Sequence, residues 1–573
     1  MGRLRLSHFF FYLNMFRKNY YMSYRSYYLY QKYQSINGST PAPVYPMEYS
    51  YDGEGTMPTV VKSENDAACG YAPPSPPSPI DYSKEYLTIE SLEDGNVIYW
   101  NNANSAITKT ISASTDNGQT WTAYTSSTVG SGTTIATLNT GDKVLLKGIN
   151  STYASDIGRY NRFLSTKKYN VYGNIMSLLH GDSFVDKTLL QLSYTFQRLF
   201  HNTNVVDASN LILPATTLTS YCYMSMFEGC TSLTTAPVLP ATTLANYCYA
   251  AMFNGCTSLI TAPELPATAL AERCYGEMFY GCTSLTTAPV LPATTLATWC
   301  YYCMFGNCTS LTTAPVLPAT TLAGSCYRNM FGGCTSLTVA PELPATTLAS
   351  SCYSYMFMGC TNLTTTPELP ATTLANGCYN GMFFGCTNLT TAPTLPATTL
   401  ANQCYYYMFY GCTSLTTVSE LPATTLTVNC YESMFEGCTS LTTVPELPAT
   451  TLAYSCYGYM FAECTSLTTA PELPATTLTD YCYDGMFYEC TSLTTAPELP
   501  ATTLASHCYE TMFCGCTSLN SITCLATDIS ATNCTNAWVS HVAASGTFVK
   551  ASSMYDWETG GSGIPTNWTV QNA

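Results

Sequence analysis

The sequence predicts an α/β solenoid: a curved array of twelve 26-residue units with short parallel strands and short convex helices, preceded by a small all-β domain. The first observation is the period, because a Cys-Tyr pair recurs in 26-residue steps from Cys222 to Cys508 without insertion or deletion. A second cysteine follows each pair by eight residues. The third observation is a Pro-ended apolar segment with the same period, which limits each strand to about three to five residues.

Two composition changes precede the array. Residues 1–40 are a basic, Tyr-rich tail, which fits either a poorly ordered segment or a docking segment for an acidic partner. Residues 41–83 are a Pro-rich linker, a composition that favours an extended spacer. The start lacks a convincing signal-peptide core and cleavage site, and no run of 18 apolar residues predicts a transmembrane segment.

Residues 84–155 predict a small antiparallel β domain, and residues 156–192 a mixed connection to the array. Two turn signals, at residues 116–118 and 139–142, each predict a hairpin between the segments that flank them.

Residues 114–121 resemble the Asp-box, S-x-D-x-G-x-T-W, of sialidase-type propellers. In that family the box is a structural hairpin turn, usually repeated from blade to blade. Here it occurs once, so we interpret it as a hairpin staple and not as a sign of glycosidase chemistry.

A helical projection predicts an amphipathic helix of about ten residues in each unit. At roughly 100° per residue, the first Cys and the Tyr, Met, Phe and second Cys that follow share one arc, and the variable positions take the opposite side. The residue before the second Cys is Gly in nine of twelve copies, which suits a helix C-cap. Helices pack about 8–10 Å apart and parallel strands about 4.8 Å, so the helices are predicted on the convex side.

The run Met-Phe-x-Gly-Cys-Thr-Ser-Leu, followed by a Pro-ended strand and another helix, resembles the BspA-type leucine-rich-repeat surface proteins over about residues 193–520. The unit is a few residues longer than that family's usual repeat and adds the LPATTL and Cys-Tyr elements. The resemblance implies a leucine-rich-repeat solenoid at 193–519 and an exposed, non-enzymatic binding or adhesion protein of host-associated bacteria. Similar arrays also look to be carried by phages. It implies no particular ligand.

Both ends of the solenoid are predicted to be capped. Residues 194–200 imitate the repeat, with Thr203 where the second Cys belongs. Residues 520–573 form a C-terminal cap that offers Trp538, Trp557 and Trp568 to cover the last unit.

Charge and residue type argue against nucleic-acid binding and metal binding by the array. Residues 211–520 hold seventeen Asp and Glu, two Arg and no Lys, a balance that repels nucleic acid phosphates. Two groups have spacings like those of zinc ligands: Cys300 with Cys303, and His507 with Cys508, Cys514 and Cys516. Most of these cysteines belong to the repeat itself, so we interpret both spacings as chance and predict no metal and no cofactor.

The repeat accounts for 24 of the 29 cysteines. Two cysteines eight residues apart on a helix are separated by about 12 Å, beyond the ~7 Å between α-carbons that a disulfide allows. We therefore predict reduced, buried thiols, and pairing between neighbouring units stays open.

The variable positions supply the predicted binding residues. Tyr, Trp and Arg offer large contact areas and Ser, Gly and Asn adapt, as in a paratope; the alternative is that these outer positions are simply unconstrained. A Thr/Ser surface on the other side could order water, but its adjacent Thr pairs make a poor grid. The predicted binding residues are Tyr221, Tyr247, Arg273, Trp299, Tyr302, Arg328, Tyr355, Tyr406, Tyr407, Tyr454, Tyr459 and Tyr481.

The sequence therefore predicts a non-catalytic adhesion or recognition protein, at the cell surface or outside the cell, that binds a protein or glycan partner through the array. The alternative is a phage virion or tail-appendage component that recognises a bacterial surface. Neither hypothesis specifies the ligand or the oligomeric state.

Overall fold

The computed structural model describes residues 80–104, 106–555 and 557–573. The predicted tail at 1–40 and most of the linker at 41–83 lie outside the described residues. The described part begins with a 3-10 turn, Tyr82–Lys84. Its first nine strands are β1 (Leu87–Ser91), β2 (Asn96–Ala103), β3 (Thr110–Ser114), β4 (Thr122–Thr125), β5 (Thr133–Leu138), β6 (Lys143–Lys147), β7 (Tyr160–Ser165), β8 (Tyr169–Asn174) and β9 (Leu211–Ile212).

The first eight strands form two antiparallel groups. One sheet has the order β4-β3-β6-β1-β8, extended by β9 in parallel to β8, and the other has the order β5-β2-β7. Leu87, Ile98, Trp100 and Phe163 are fully buried in this region. Strands continue beyond residue 155, so the predicted connection at 156–192 contributes β7, β8, the short helix α1 (Ser177–His180) and a 3-10 turn, Gly181–Ser183.

Of the two predicted hairpins, one forms. Strands β3 and β4 pair across the turn at 116–118. The hairpin at 139–142 is wrong, because β5 pairs with β2 while β6 lies between β1 and β3 in the other sheet. Three consecutive residues of β6 are buried, as expected of an internal strand. A turn signal marks a chain reversal and does not specify which sheet the next strand enters.

The predicted convex helices are also wrong: no helix forms in the described residues beyond 190. The segment is a chain of overlapping turns. In the unit of Cys248, the N–H groups of Tyr247, Tyr249, Ala251, Phe253 and Gly255 donate to carbonyls of the next unit at 2.7–3.1 Å. The N–H groups between them donate to the carbonyl three residues earlier, at 3.1–3.2 Å. A helix closes its hydrogen bonds internally, whereas this chain shares half of them with its neighbour.

The rest of each unit makes few cross-unit backbone contacts. Isolated parallel bridges such as Thr261 with Thr287, and Thr391 with Thr417, replace the predicted strands. Beyond β9, continuous parallel strands in the described residues lie at the C-terminal end of the array and in the cap: β10 (Thr495–Leu499), β11 (Ser521–Cys524), β12 (Thr547–Lys550) and β13 (Thr569–Asn572). The β10 register shifts around its Pro, and β11 has no Pro, as expected for a residue without an N–H donor.

The interior of the array consists of stacked side-chain columns. In one unit Tyr249, Met252, Phe253, Cys256 and Leu259 are at most 1% exposed. Neighbouring rings stack nearly parallel, at 5.7 Å for Phe253–Phe279 and 6.0 Å for Tyr249–Tyr275. The predicted curvature depended on helices packing about 8–10 Å apart, and turns stacked at this shorter spacing remove that reason for it.

The second cysteine of each unit has a polar role as well. Its thiol donates a hydrogen bond to the carbonyl of the Phe in the preceding unit or, for Cys230, of Phe200, at 3.0–3.2 Å in all twelve copies. All 28 described cysteines are unpaired, and only Cys514 is not buried. Burial raises the pKa of the Cys230 thiol to about 12, so the reactive thiolate is suppressed.

Additional rungs of the same turn geometry lie at both ends. At the N-terminal end, Phe196 donates from its N–H to the carbonyl of Cys222 at 2.8 Å. At the C-terminal end, residues 533–541 form a rung that the sequence analysis did not identify, with Phe513 donating to the carbonyl of Trp538 at 2.8 Å. Trp538 is fully buried and stacks on Trp557 at 5.7 Å. The Trp568 indole donates to the carbonyl of Ala543 at 2.8 Å.

Candidate functional site

The variable residues of the units share one surface of the array, which we call the outer turn face. It comprises the two residues before the first Cys, the second and third residues after it, and the residue after Phe. Every fourth residue of the turn chain is left-handed; in one unit these are Tyr247 (φ 60°), Ala251 (φ 54°) and Gly255 (φ 72°). A left-handed residue at every fourth position keeps the chain turning in steps of four, so each outer side chain has a fixed direction.

All twelve predicted binding residues lie on this face, but they differ in exposure. Trp299 and Tyr454 are exposed, at 38% and 49%. Tyr355 is buried, at 6%. The other nine are half-buried. Packing between units therefore covers much of the surface that the sequence analysis treated as free.

A column of aromatic side chains lies at the N-terminal end of the face. Tyr221 stacks between Tyr194 and Tyr247, with ring centroids 4.6 and 4.8 Å away. The Arg273 guanidinium lies 5.7 Å from the Tyr247 ring and 5.1 Å from the Tyr302 ring. Arg273 also pairs with Glu277 at 2.5 Å. These contacts hold the large side chains in a preorganised row.

Tyr355 illustrates how a large outer residue depends on the next unit. A Cβ placed on Gly381 would lie 2.2 Å from Cε1 of Tyr355, so the ring lies flat over that glycine. The Arg328 guanidinium lies 6.0 Å from the Tyr355 ring. The same arrangement recurs where the Tyr459 ring covers Gly485, with 2.4 Å to the corresponding Cβ position. Each glycine provides the space that its neighbour's ring fills.

Four aromatic rings form a cluster in the middle of the array. Tyr406 and Tyr407 have centroids 3.9 Å apart, and Tyr407 meets Tyr410 edge-on at 5.4 Å. Phe384 stacks on Tyr410 at 4.6 Å. Phe384 and Tyr410 were not among the predicted binding residues, although both occupy the variable position after the repeat's Phe. Grouping the variable residues by column would have found them.

The C-terminal part of the face combines aromatic and acidic side chains. Tyr481 stacks on His507 at 4.3 Å and lies 5.3 Å from Tyr454. His507 pairs with Glu510. Asp484 accepts a hydrogen bond from the Thr511 hydroxyl at 3.2 Å.

Burial raises the pKa of Asp484 to about 7, and the Glu510 and Glu432 charges act in the same direction; the Thr511 hydrogen bond and His507 oppose them. Burial also raises the pKa of Glu432, against hydrogen bonds from Asn429 and Ser455. The face therefore holds partly desolvated carboxylates.

The two zinc-like spacings do not converge into sites. Cys303 accepts a hydrogen bond from the Asn329 amide at 3.2 Å, and Cys300 belongs to the buried cysteine column. Across the described ranges, no three His, Cys, Asp or Glu side chains are grouped to hold a metal ion.

The Asp-box-like segment is an internally bonded turn. Asp116 Oδ1 accepts from the Ser114 hydroxyl at 2.6 Å and from the Thr120 N–H at 2.9 Å, and Oδ2 accepts from the Thr120 hydroxyl at 2.5 Å. These hydrogen bonds lower the pKa of Asp116 to about 2. Both carboxylate oxygens are therefore engaged in holding the hairpin.

None of the described helices is long and apolar enough to cross a membrane. The model of the BspA type leucine-rich repeat region matches the chain in overlapping segments, at residues 197–338, 302–442, 350–483 and 432–544. No curated protein matches the sequence. The crystal structure of an internalin (inlF) from Listeria monocytogenes is similar over 53% of this chain and 78% of that chain, with 11% identity and a TM-score of 0.20. So low a TM-score supports no conclusion about function.

Proposed function

The chain belongs to the family with the BspA type leucine-rich repeat region, and from that premise we propose that it is a surface recognition protein that binds a protein or glycan partner through the outer turn face. The proposed location is the cell surface or the extracellular space. No observation on the described residues favours the virion alternative, so adhesion is the one function that we propose.

One observation carries the proposal: the Tyr, Trp and Arg side chains that vary between the repeat units lie on a face whose backbone is held rigidly. Cross-unit hydrogen bonds of 2.7–3.1 Å in the unit of Cys248 hold neighbouring turns at a constant spacing. Large rings such as Tyr221 and Tyr247 then stack at 4.8 Å. A rigid scaffold with exchangeable Tyr, Trp and Arg contacts resembles a paratope in its physics, because little conformational entropy is lost on binding.

The chemistry of the buried groups supports a binding role and not catalysis. The repeat's thiols are buried among apolar side chains, and burial raises the pKa of Cys256 well above its ordinary value. A nucleophile needs the opposite shift and an adjacent base. Inert thiols also suit a protein that is exposed to oxidants, since the thiolate is the reactive form.

The test compares the full chain with two matched variants on a panel of mucin glycans, matrix proteins and whole bacteria. One variant changes Tyr221, Tyr247, Trp299, Tyr454 and Tyr481 to Ser. The control changes five exposed bridge threonines to Ser: Thr287, Thr313, Thr365, Thr391 and Thr417. We expect selective binding that the outer-face variant loses and the control keeps. Equal binding by all three proteins, or no binding by any, contradicts the proposal.

A further inference from the structure

A cleft lies where the N-terminal β region meets the first turns of the array. Its walls come from within residues 107–161 on one side and from residues 192–194 on the other, and its volume is about 370 Å³. We call it the junction cleft. Pockets that hold small ligands have volumes of roughly 300–1,000 Å³ and often lie where two structural units meet. The junction cleft is therefore large enough for a small molecule or for the end of a peptide chain.

Hydrogen bonds hold the polar part of the wall in place. The Asn161 amide donates to the carbonyl of Ile107 at 3.0 Å, and its oxygen accepts from the Ser126 hydroxyl at 2.5 Å. The Thr152 hydroxyl donates to the carbonyl of Tyr194 at 3.2 Å, so it joins the two sides of the cleft. Because these groups already have partners, the cleft is preformed, and little ordering is needed when a ligand enters.

One charged residue, Lys109, lines the junction cleft. It is half-buried, and none of the ion pairs in the described part of the chain includes it. Burial lowers the pKa of Lys109, and among the described residues no carboxylate opposes this effect. A partly desolvated ammonium without a counter-charge is destabilised, so an anion that enters the cleft gains an attraction that no side chain of the described residues supplies.

Two large apolar side chains line the same cleft from opposite sides. Ile107 is 67% exposed and Leu192 is 44% exposed. Ala154 adds a buried apolar surface to the wall. A hydrocarbon group placed between Ile107 and Leu192 would remove apolar surface of both side chains from water, which is favourable. The cleft thus offers apolar contact beside a single positive charge.

The remaining groups of the wall favour a carboxylate over other anions. Ser193 and Tyr194 contribute hydroxyl groups, which can donate hydrogen bonds to a carboxylate oxygen. A single ammonium matches a singly charged anion. The net charge of -16 on the whole chain repels anions of higher charge more strongly, so a phosphate ester is the poorer match.

We propose that the junction cleft binds a singly charged carboxylate with a short apolar body, the carboxylate at Lys109 and the body between Ile107 and Leu192. A free carboxylic acid and the C-terminal residue of a peptide both have this chemistry. The proposal goes beyond the proposed function, because none of the residues that line the cleft is among the predicted binding residues.

A ligand-observed NMR titration of the full chain with 4-methylpentanoate tests the charge, and the neutral 4-methylpentanamide, which has the same shape, is the control ligand. We expect a Kd of about 1 mM or tighter for the acid and at least about tenfold weaker binding of the amide. Lys109→Met keeps the length of the side chain and should weaken binding of the acid about tenfold or more. Lys168→Met removes the same charge from an exposed lysine outside the cleft and should weaken it less than about threefold.

A second comparison tests the apolar wall and the source of the carboxylate. Leu192→Ser changes an exposed side chain, so the protein should fold, and binding of the acid should weaken about threefold or more. Acetyl-glycyl-leucine with a free C-terminus, compared with its C-terminal amide, supplies the peptide arm. Tighter binding of the peptide acid than of 4-methylpentanoate indicates that the ligand is a chain end, and the reverse order indicates a free acid.

The outcomes that overturn the proposal are equal binding of the acid and its amide, equal losses in Lys109→Met and Lys168→Met, undiminished binding by Leu192→Ser, and no binding by the wild type at about 10 mM acid. Thermal unfolding of each variant at the midpoint of the wild type shows that a loss arises in the cleft and not from unfolding. The comparison of acid with amide uses the wild type, so it tests the charge whether or not a variant is destabilised.

Discussion

The two halves of one repeat unit contact the next unit through different backbone interactions. The turn half, from two residues before the first Cys to the second Cys, donates five backbone hydrogen bonds to the next unit in the case of Cys248. The Thr-Pro half, the remainder of the unit, is joined by single bridges such as Thr261 with Thr287. Prolines remove donors from the second half, so the first half carries most of the backbone cohesion.

That division explains where the sequence can vary. In the turn half, side chains alternate between the packed columns and the outer turn face, so that outer residues change without disturbing the backbone. In the Thr-Pro half, the exposed residues are mostly Thr, and the main exception is one exposed position that is Val, Glu or Thr, as at Val238, Glu264 and Thr394. The turn half, which makes most of the backbone hydrogen bonds between units, therefore also carries most of the side-chain variation between units.

The largest expected effect comes from the core of the turn half. Phe383 is fully buried, and its ring stacks on Phe357 at 5.6 Å and on Phe409 at 5.5 Å. Phe383→Ala should lower the free energy of unfolding by about 3–5 kcal/mol, measured by denaturant titration. Thr391→Ala, in the Thr-Pro half of the same unit, should change it by less than about 0.5 kcal/mol. Similar losses from both variants would refute the division.

Serine substitution should destabilise the two cysteine columns to different extents. The Cys334 thiol donates to the carbonyl of Phe305 at 3.1 Å, and a serine hydroxyl can keep that bond. Among the described first cysteines, only the Cys508 thiol donates a hydrogen bond, at 3.8 Å to the carbonyl of Cys534. Cys222 and Cys430 have hydrogen bonds with the Thr219 and Thr427 side chains. Cys326→Ser should therefore cost about 2–3 kcal/mol and Cys334→Ser about 1 kcal/mol or less, by the same titration. The reverse order would remove the thiol hydrogen bond as an explanation.

The sequence predicted the repeat, its period, its family and the side of the unit that varies, because each depends on which side chains recur. It did not predict the turn chain. The buried positions of one unit, Cys248, Tyr249, Met252, Phe253 and Cys256, repeat at intervals of four, which fits one arc of a helix as well as a four-residue turn. At about 100° per residue, positions four residues apart stay on one side of a helix that is only ten residues long, so the pattern of buried positions does not exclude a helix.

Two signals could have separated these alternatives. The glycine before the second Cys was interpreted as a helix C-cap, but it is the last of three left-handed residues, the others being outer residues such as Tyr247 and Ala251. Non-Gly residues rarely adopt that conformation, so side-chain identity did not reveal it. The second signal is the spacing between units. Strands about 4.8 Å apart on one side and helices about 8–10 Å apart on the other would curve the array strongly. Turns that stack at a spacing close to that of strands avoid this curvature.

A double-mutant cycle can test the packing of outer rings on the next unit. Gly381→Ala places a Cβ 2.2 Å from the Tyr355 ring at a left-handed position with φ 58°, so we expect a loss of about 2 kcal/mol. In a Tyr355→Ala background the same substitution should cost only the backbone strain, about 1 kcal/mol. Thermal or denaturant unfolding measures the coupling. Equal costs in both backgrounds would mean that the ring does not depend on the glycine.

The smallest effect, and the one most specific to the outer turn face, is the pH dependence of Asp484. Its pKa of about 7 lies above the ordinary value of about 4, so the folded state binds the proton more tightly than the unfolded state. The carboxyl group therefore lowers stability progressively as the pH rises from about 4 to about 7. Asp484→Asn keeps an oxygen for Thr511 and removes the charge that Glu432 and Glu510 repel.

We expect Asp484→Asn to exceed the wild type in the free energy of unfolding by about 1–2 kcal/mol at pH 8, a value discounted for partial exposure, and to equal it below pH 4. Asp528→Asn is the matched control, because hydrogen bonds from Ser530 lower the pKa of Asp528 and its stabilising effect has the opposite sign at neutral pH. Denaturant titrations at several pH values measure both. A constant difference for Asp484→Asn across the range would show that burial does not desolvate the Asp484 carboxylate.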